Sequence, residues 1–276
     1  MIEALAYPFM QRALVAGLLV GLVASLLGVF VILRRSAFFG DAVAHASLAG
    51  IAIGVVSGIP PLVPAAAVAV GIGVALHRLE RLGRLSLDTI LGFILPFFMA
   101  VGVLVLSLSP GFQPELLSYL FGSILTVGGP GLTAIAVVAV VVAGVLARLG
   151  RRLVFAAFDP EGAHAAGLDV ARLLTAQHVL LALVVITSIS IVGIVLVNAL
   201  LVIPAATAKL LARSLGQMFV LAPVLGIASV LAGLVVSAWV DAPSGPAIVV
   251  IAGALFLAAW GRTAWLARRP SGESRP

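Results

Sequence analysis

The sequence predicts an all-α, polytopic membrane protein, and three observations lead there. Of its 276 residues, 63% are hydrophobic and only 9% are charged, against about a quarter charged in a typical soluble domain. Mean hydropathy is +1.29. Apolar runs long enough to cross a bilayer follow one another along almost the whole chain, and a lipid-facing backbone satisfies its own hydrogen bonds as a helix. The dyad alternation of a membrane barrel is not visible in the sequence. The length leaves room for roughly eight to ten spans of about 20 residues. Residues 1–269 therefore read as one transmembrane domain, and 270–276 as a disordered cytoplasmic tail.

The runs fall at 12–33, 40–59, 62–77, 88–108, 131–149, 173–191, 193–211, 217–240 and 244–261. A further run, Glu115 to Val127, is too short to span and reads as a re-entrant or interfacial helix. Leu173 to Leu211 is too long for one helix, and a break between Ser190 and Gly193 divides it. Basic residues set the orientation. With the N-terminus outside, every Lys and Arg except Arg12 lies on the inner side, and the outer turns Ser57–Pro61 and Asp241–Gly245 carry no base. Leaving Leu173 to Leu211 undivided would reverse everything downstream. About nine spans plus the short helix are expected, in a multi-pass protein of the bacterial inner membrane.

Several function classes fall away. Met1 to Arg12 has no basic n-region and no small-residue cleavage site after the first run, which argues against a cleaved signal peptide. The absence of cysteine excludes thiolate metal sites and disulfides. The +6 charge comes from residues at the ends of apolar runs, so topology explains it and no nucleic-acid partner is expected.

Small residues recur every four positions in the first two spans: Gly17, Gly21 and Ser25, then Ala42, Ala46, Gly50, Gly54 and Gly58. Such rows let helix backbones approach closely in lipid. Packing inside one bundle is the first reading; a dimer or pore-lining interface is the other.

The sharpest feature is Asp41 and His45, four apart and on one face of the second span. They lie roughly 9–15 Å along the axis from Arg35 at about 1.5 Å per residue. A carboxylate at that depth is costly unless it has a partner or faces a wet cavity. With a neutral imidazole it makes a partial ligand set for zinc or manganese, and two donors suit a conduit that must release its cargo. The competing reading is an Asp–His contact that only stabilises the fold. His178 falls at a similar depth and is a possible third metal ligand, or a satisfied buried histidine. Asp88 suits a helix N-terminus. Asn198 and Thr207 flank Pro204, where neighbouring polar groups are expected to satisfy the carbonyl that proline frees. Glu115 and Asp241 belong to outer loops, and His77 and His164 to inner ones.

Lys209, the single lysine, follows Pro-Ala-Ala-Thr-Ala, so no phosphate-cradling P-loop exists. The chain is not expected to be an enzyme, and ATP-driven transport would need a separate ATPase docked inside. Leu153 to Arg172, with a turn at Pro160 and a helix-prone stretch ending near Gly167, is the natural dock.

The chain resembles the metal-cation permeases of ATP-binding-cassette importers, most of all the bacterial high-affinity zinc uptake permease. The resemblance rests on Leu33–Gly50, Asp88–Gly92, Ser118–Ser123, Leu200–Ala208 and Ser237–Gly245. It implies a homodimer in lipid, a cytoplasmic ATP-binding subunit dimer, and an extracytoplasmic metal-binding protein that delivers the ion. It also implies that Asp41 and His45 take part in the metal path, and that Asp159, Glu161 and Gly167 belong to the part coupled to the ATPase. No permanently bound cofactor is implied; the transported cation is expected to be zinc, with manganese or iron as alternatives. A proton-coupled secondary transporter using Asp41 and His45 as a relay is a reading from another class. An intramembrane metal hydrolase is a third, against which stands the lack of an H-E-x-x-H motif.

Overall fold

The computed structural model describes residues 7–81, 86–107 and 127–267. Helices fill them, and no strand occurs among the described residues. In chain order they are α1 (Pro8–Leu33), α2 (Phe39–Ser57), α3 (Leu62–Arg81), α4 (Leu87–Ser107) and α5 (Gly129–Phe158). Then follow α6 (Pro160–Ala165), α7 (Val170–Val192), α8 (Ile194–Leu211), α9 (Leu215–Val240) and α10 (Ser244–Ala267). The expected short helix, Glu115 and the Ser118–Ser123 motif lie outside the described residues, as does the 270–276 tail.

Eight of these helices are long and apolar enough to cross a membrane: α1, α2, α4, α5 and α7 to α10. The apolar part of α3, Leu62–Leu76, is shorter. Even so, α3 runs antiparallel beside α2. A Cβ built on Gly50 would lie 2.5 Å from Cα of Ala65, and one on Gly54 would lie 2.7 Å from Cα of Pro61. Further along, Gly73 abuts the backbone of His178 in α7. At about 1.5 Å per residue, a helix of this length reaches about 30 Å, the thickness of the hydrocarbon core. The third run of the sequence reading, 62–77, is thus a helix that continues into a polar C-terminal end; His77, expected in a loop, lies within it.

The break between α7 and α8 falls at Gly193, whose φ of +84° favours glycine. Within α8, Pro204 cannot donate to the carbonyl of Leu200. The buried Ser25 hydroxyl of α1 donates to that carbonyl at 3.2 Å, while Thr207 donates to the Ile203 carbonyl at 2.8 Å. The expected rescue of the freed carbonyl therefore comes from another helix. α1 is the post against which α8 and α9 press. A Cβ on Gly28 would strike the Leu201 carbonyl, and one on Gly226 would lie 2.6 Å from the Gly21 carbonyl oxygen. Gly21, Ser25, Gly50 and Gly54 all serve packing within one chain.

At its C-terminal end α5 continues to Phe158, past the span end expected at 149, with Arg148, Arg151 and Arg152 exposed and good helix formers. Ser86 caps α4 by accepting from the Thr89 N–H at 3.2 Å; Asp88 sits in the first turn, where its charge suits the helix dipole. The three tryptophans are exposed near helix C-termini, Trp239 in α9 and Trp260 and Trp265 in α10, positions that suit an interfacial aromatic belt.

Candidate metal-ion path

From Phe39 to Ala52, α2 is buried at every residue except Asp41 and His45. Neighbouring helices seal the rest: α3 against Gly50, α4 through Gly102 against Ala49, and α8 through Asn198 and Leu201 against Gly40. The four-residue spacing leaves both side chains half-buried on one unsealed strip. An ionisable pair at that position requires a polar route or a polar partner.

The geometry of His45 fixes which nitrogen it offers. Its Nδ1 lies 2.8 Å from the backbone carbonyl oxygen of Asp41. A carbonyl only accepts, so Nδ1 carries the proton and the neutral ring keeps its lone pair on Nε2. That is the usual preparation of a metal-binding imidazole, with the second nitrogen anchored to a backbone oxygen. Asp41 adds a carboxylate one turn earlier, and its Oδ1 accepts a hydrogen bond from the Asn198 amide of α8. Nitrogen and oxygen donors in this combination suit a borderline or hard divalent cation.

His178 sits elsewhere. It is buried in α7 with its ring stacked on Phe39, centroids 5.4 Å apart and planes at 13°. Among the described residues no three His, Cys, Asp or Glu side chains gather into a metal-holding group, so His178 is not assembled with Asp41 and His45. Asn198 is the site residue that sequence reading missed, having placed it beside the Pro204 kink. Its partner stands 157 positions away, a separation no local pattern reports. The usable signal was that an amide inside an apolar run needs a polar partner, and Asp41, in the first turn of α2, is a carboxylate in need of one.

Asp159, Glu161 and Gly167 form a separate inner feature. Asp159 caps α6, its carboxylate accepting from the Gly162 N–H at 2.9 Å. Gly167, at φ +78°, turns the chain toward α7, where Asp169 accepts from the Arg172 N–H at 3.1 Å. Glu161, His164 and Gly167 line a cleft of about 940 Å³ together with Arg34, at the end of α1.

Apolar spans that bury their small residues against one another, with a half-buried carboxylate–imidazole pair on one strip, make a polytopic bundle of the permease class. The comparison with known families agrees: residues 6–262 match the ABC 3 transport family. The chain belongs to that family, as a divalent-metal permease subunit of an ABC importer and a multi-pass protein of the inner membrane. It is 34% identical over 254 residues to the manganese transport system membrane protein MntC of Listeria monocytogenes, covering 92% of this chain and 90% of the relative. Over 245 residues it is 31% identical to the high-affinity zinc uptake system membrane protein ZnuB of Haemophilus influenzae, covering 89% and 94%. Among solved structures, PsaBC from Streptococcus pneumoniae in complex with Fab aligns at a TM-score of 0.83 and 30% identity, over 96% of this chain and 97% of that one.

Proposed function

We propose that this permease carries manganese into the cytoplasm, passing it along Asp41 and His45, as part of a homodimer driven by a cytoplasmic ATPase and supplied by an extracytoplasmic metal-binding protein. The observation that carries the path is the unsealed strip of α2, where Asp41 and His45 alone escape burial between Phe39 and Ala52. A second copy apposed to that strip would enclose a polar route between the two chains and double the donors along it. Manganese replaces the zinc favoured from sequence because manganese systems at 34% identity stand ahead of the zinc system at 31%. A carboxylate donor in a site without thiolates is compatible with it. α6 is the proposed ATPase contact: Asp159, Glu161 and Gly167 shape it, and its cleft reaches Arg34, seven positions before Asp41.

The test is uptake of radioactive manganese by vesicles holding the permease and its ATPase. Uptake should require ATP, and Asp41→Ala or His45→Ala should each lower its initial rate by about tenfold or more, the scale of losing a metal-site group. Wild-type rates in both variants would remove the path. Zinc remains the second reading, supported by the ZnuB likeness. If excess zinc suppresses manganese uptake far better than manganese suppresses zinc uptake, zinc is the cargo.

A further inference from the structure

We infer that Asn198 is a positioning residue for the ion path, holding the Asp41 carboxylate in place from α8, and that Gly40 is the notch admitting it. This rests on Asp41 belonging to the path. Two observations carry it. The Asn198 amide N–H donates to Oδ1 of Asp41, which ties that oxygen to a neighbouring helix and leaves Oδ2 outside the bond. A Cβ on Gly40 would collide with the amide oxygen of Asn198 and approach within 3.3 Å of its Cγ and 3.1 Å of a Leu201 methyl. The amide thus occupies the space a side chain at position 40 would take, and only glycine leaves the bond intact.

The physical consequence is specific. An Asp side chain on the first turn of a helix can swing about two torsions. Without a fixed partner the Asp41 carboxylate would leave its alignment with His45, one turn further along the same face. Asn198 is a neutral donor, so it fixes the carboxylate without neutralising it, and the charge remains available to the cation. A lysine or arginine in its place would hold the carboxylate equally well and remove the attraction for metal. α8 is itself anchored beside this point, since Ser25 of α1 takes the Leu200 carbonyl two residues on. The amide is therefore presented by a stretch of α8 locked to α1, and Asp41 is referenced to the bundle rather than to its own helix.

The experiment uses the permease with its ATPase in vesicles, with manganese alone as the probe, and measures KM and maximal rate separately alongside the melting temperature. Asn198→Ala should raise the manganese KM by about tenfold with the ATP-driven maximal rate held within about twofold. Gly40→Ala, which pushes the amide off the carboxylate while keeping Asn198, should raise KM similarly. Asn198→Asp alone keeps Asp41 but sets two carboxylates against each other and should raise KM, while Asn198→Gln, which retains an amide donor, should recover part of it. A latch that only joined two helices would change the melting temperature and leave KM alone. Near-wild-type KM in Asn198→Ala and Gly40→Ala, with Asp41→Ala inactive, overturns the role of Asn198 and spares the path. Wild-type uptake by Asp41→Ala overturns the path itself.

Discussion

Because the Nδ1–H of His45 is held by the Asp41 carbonyl, the ring cannot rotate to offer either nitrogen in turn. The same economy of donors governs Ser25. Its hydroxyl meets the one carbonyl of α8 that Pro204 leaves without a helical partner. Ser25→Ala should lower stability by about 1–3 kcal/mol, the cost of an unsatisfied buried acceptor, read as a lower melting temperature of the purified protein. Thr207→Val is the contrast. Thr207 also bonds a carbonyl, but the Ile203 oxygen it meets keeps the backbone N–H of residue 207, so that variant should cost distinctly less. Equal losses would mean that Leu200 finds another donor and that Ser25 is only a small residue filling a gap.

At the scale of elements, glycine and serine rows decide which helices touch, and caps decide where they stop. The rows on α1 and α2 were readable from their four-residue spacing, and the break at Gly193 from the excess length of Leu173 to Leu211 and the side on which Lys209 and Arg213 must fall. What faces those rows was not readable. Gly28 against the Leu201 carbonyl, and Gly226 against Gly21, join residues far apart in the chain, and an apolar sequence offers many equivalent partners in lipid. The Asp41–His45 pair was legible because a charge in a span is rare and its period is helical; Asn198 was not, since an amide beside a proline has a local explanation ready. α6 is the element whose reading is most exposed to test. Its six residues have too few hydrogen bonds to persist alone, so Asp159 at the N-cap matters more than in a long helix. Asp159→Ala should remove about 0.5–2 kcal/mol of local stability. It should cut ATP-driven uptake several-fold while direct manganese binding to the permease stays unchanged. Loss of binding as well would show that α6 supports the ion path and not its coupling to the ATPase.

For the whole molecule, everything about direction depends on whether α3 crosses. Hydropathy counts eight spanning helices among the described residues and leaves Leu62–Leu76 short, whereas the packing of α3 along α2 and against the backbone of His178 is what a ninth crossing requires. The two counts agree up to Ser57 and disagree on every later turn. With nine, both ends of the 108–126 connection lie outside, α6 lies inside with the arginines of α5, and Ala242 lies outside. With eight, α6 would face the exterior and ATP could not act there. The chain has no cysteine, so single replacements can be read without background. Ser57→Cys and Ala242→Cys should react with a membrane-impermeant maleimide on intact cells, while Ala37→Cys and Ala166→Cys should react only after the membrane is opened. Ala37 and Ala166 are exposed, so silence at either reflects sidedness and not burial. Labelling of Ala166→Cys together with Ser57→Cys, and none at Ala242→Cys, would show that α3 returns without crossing. The cleft that Arg34 shares with α6 would then have to be formed across two sides of the membrane, which a continuous bundle cannot do.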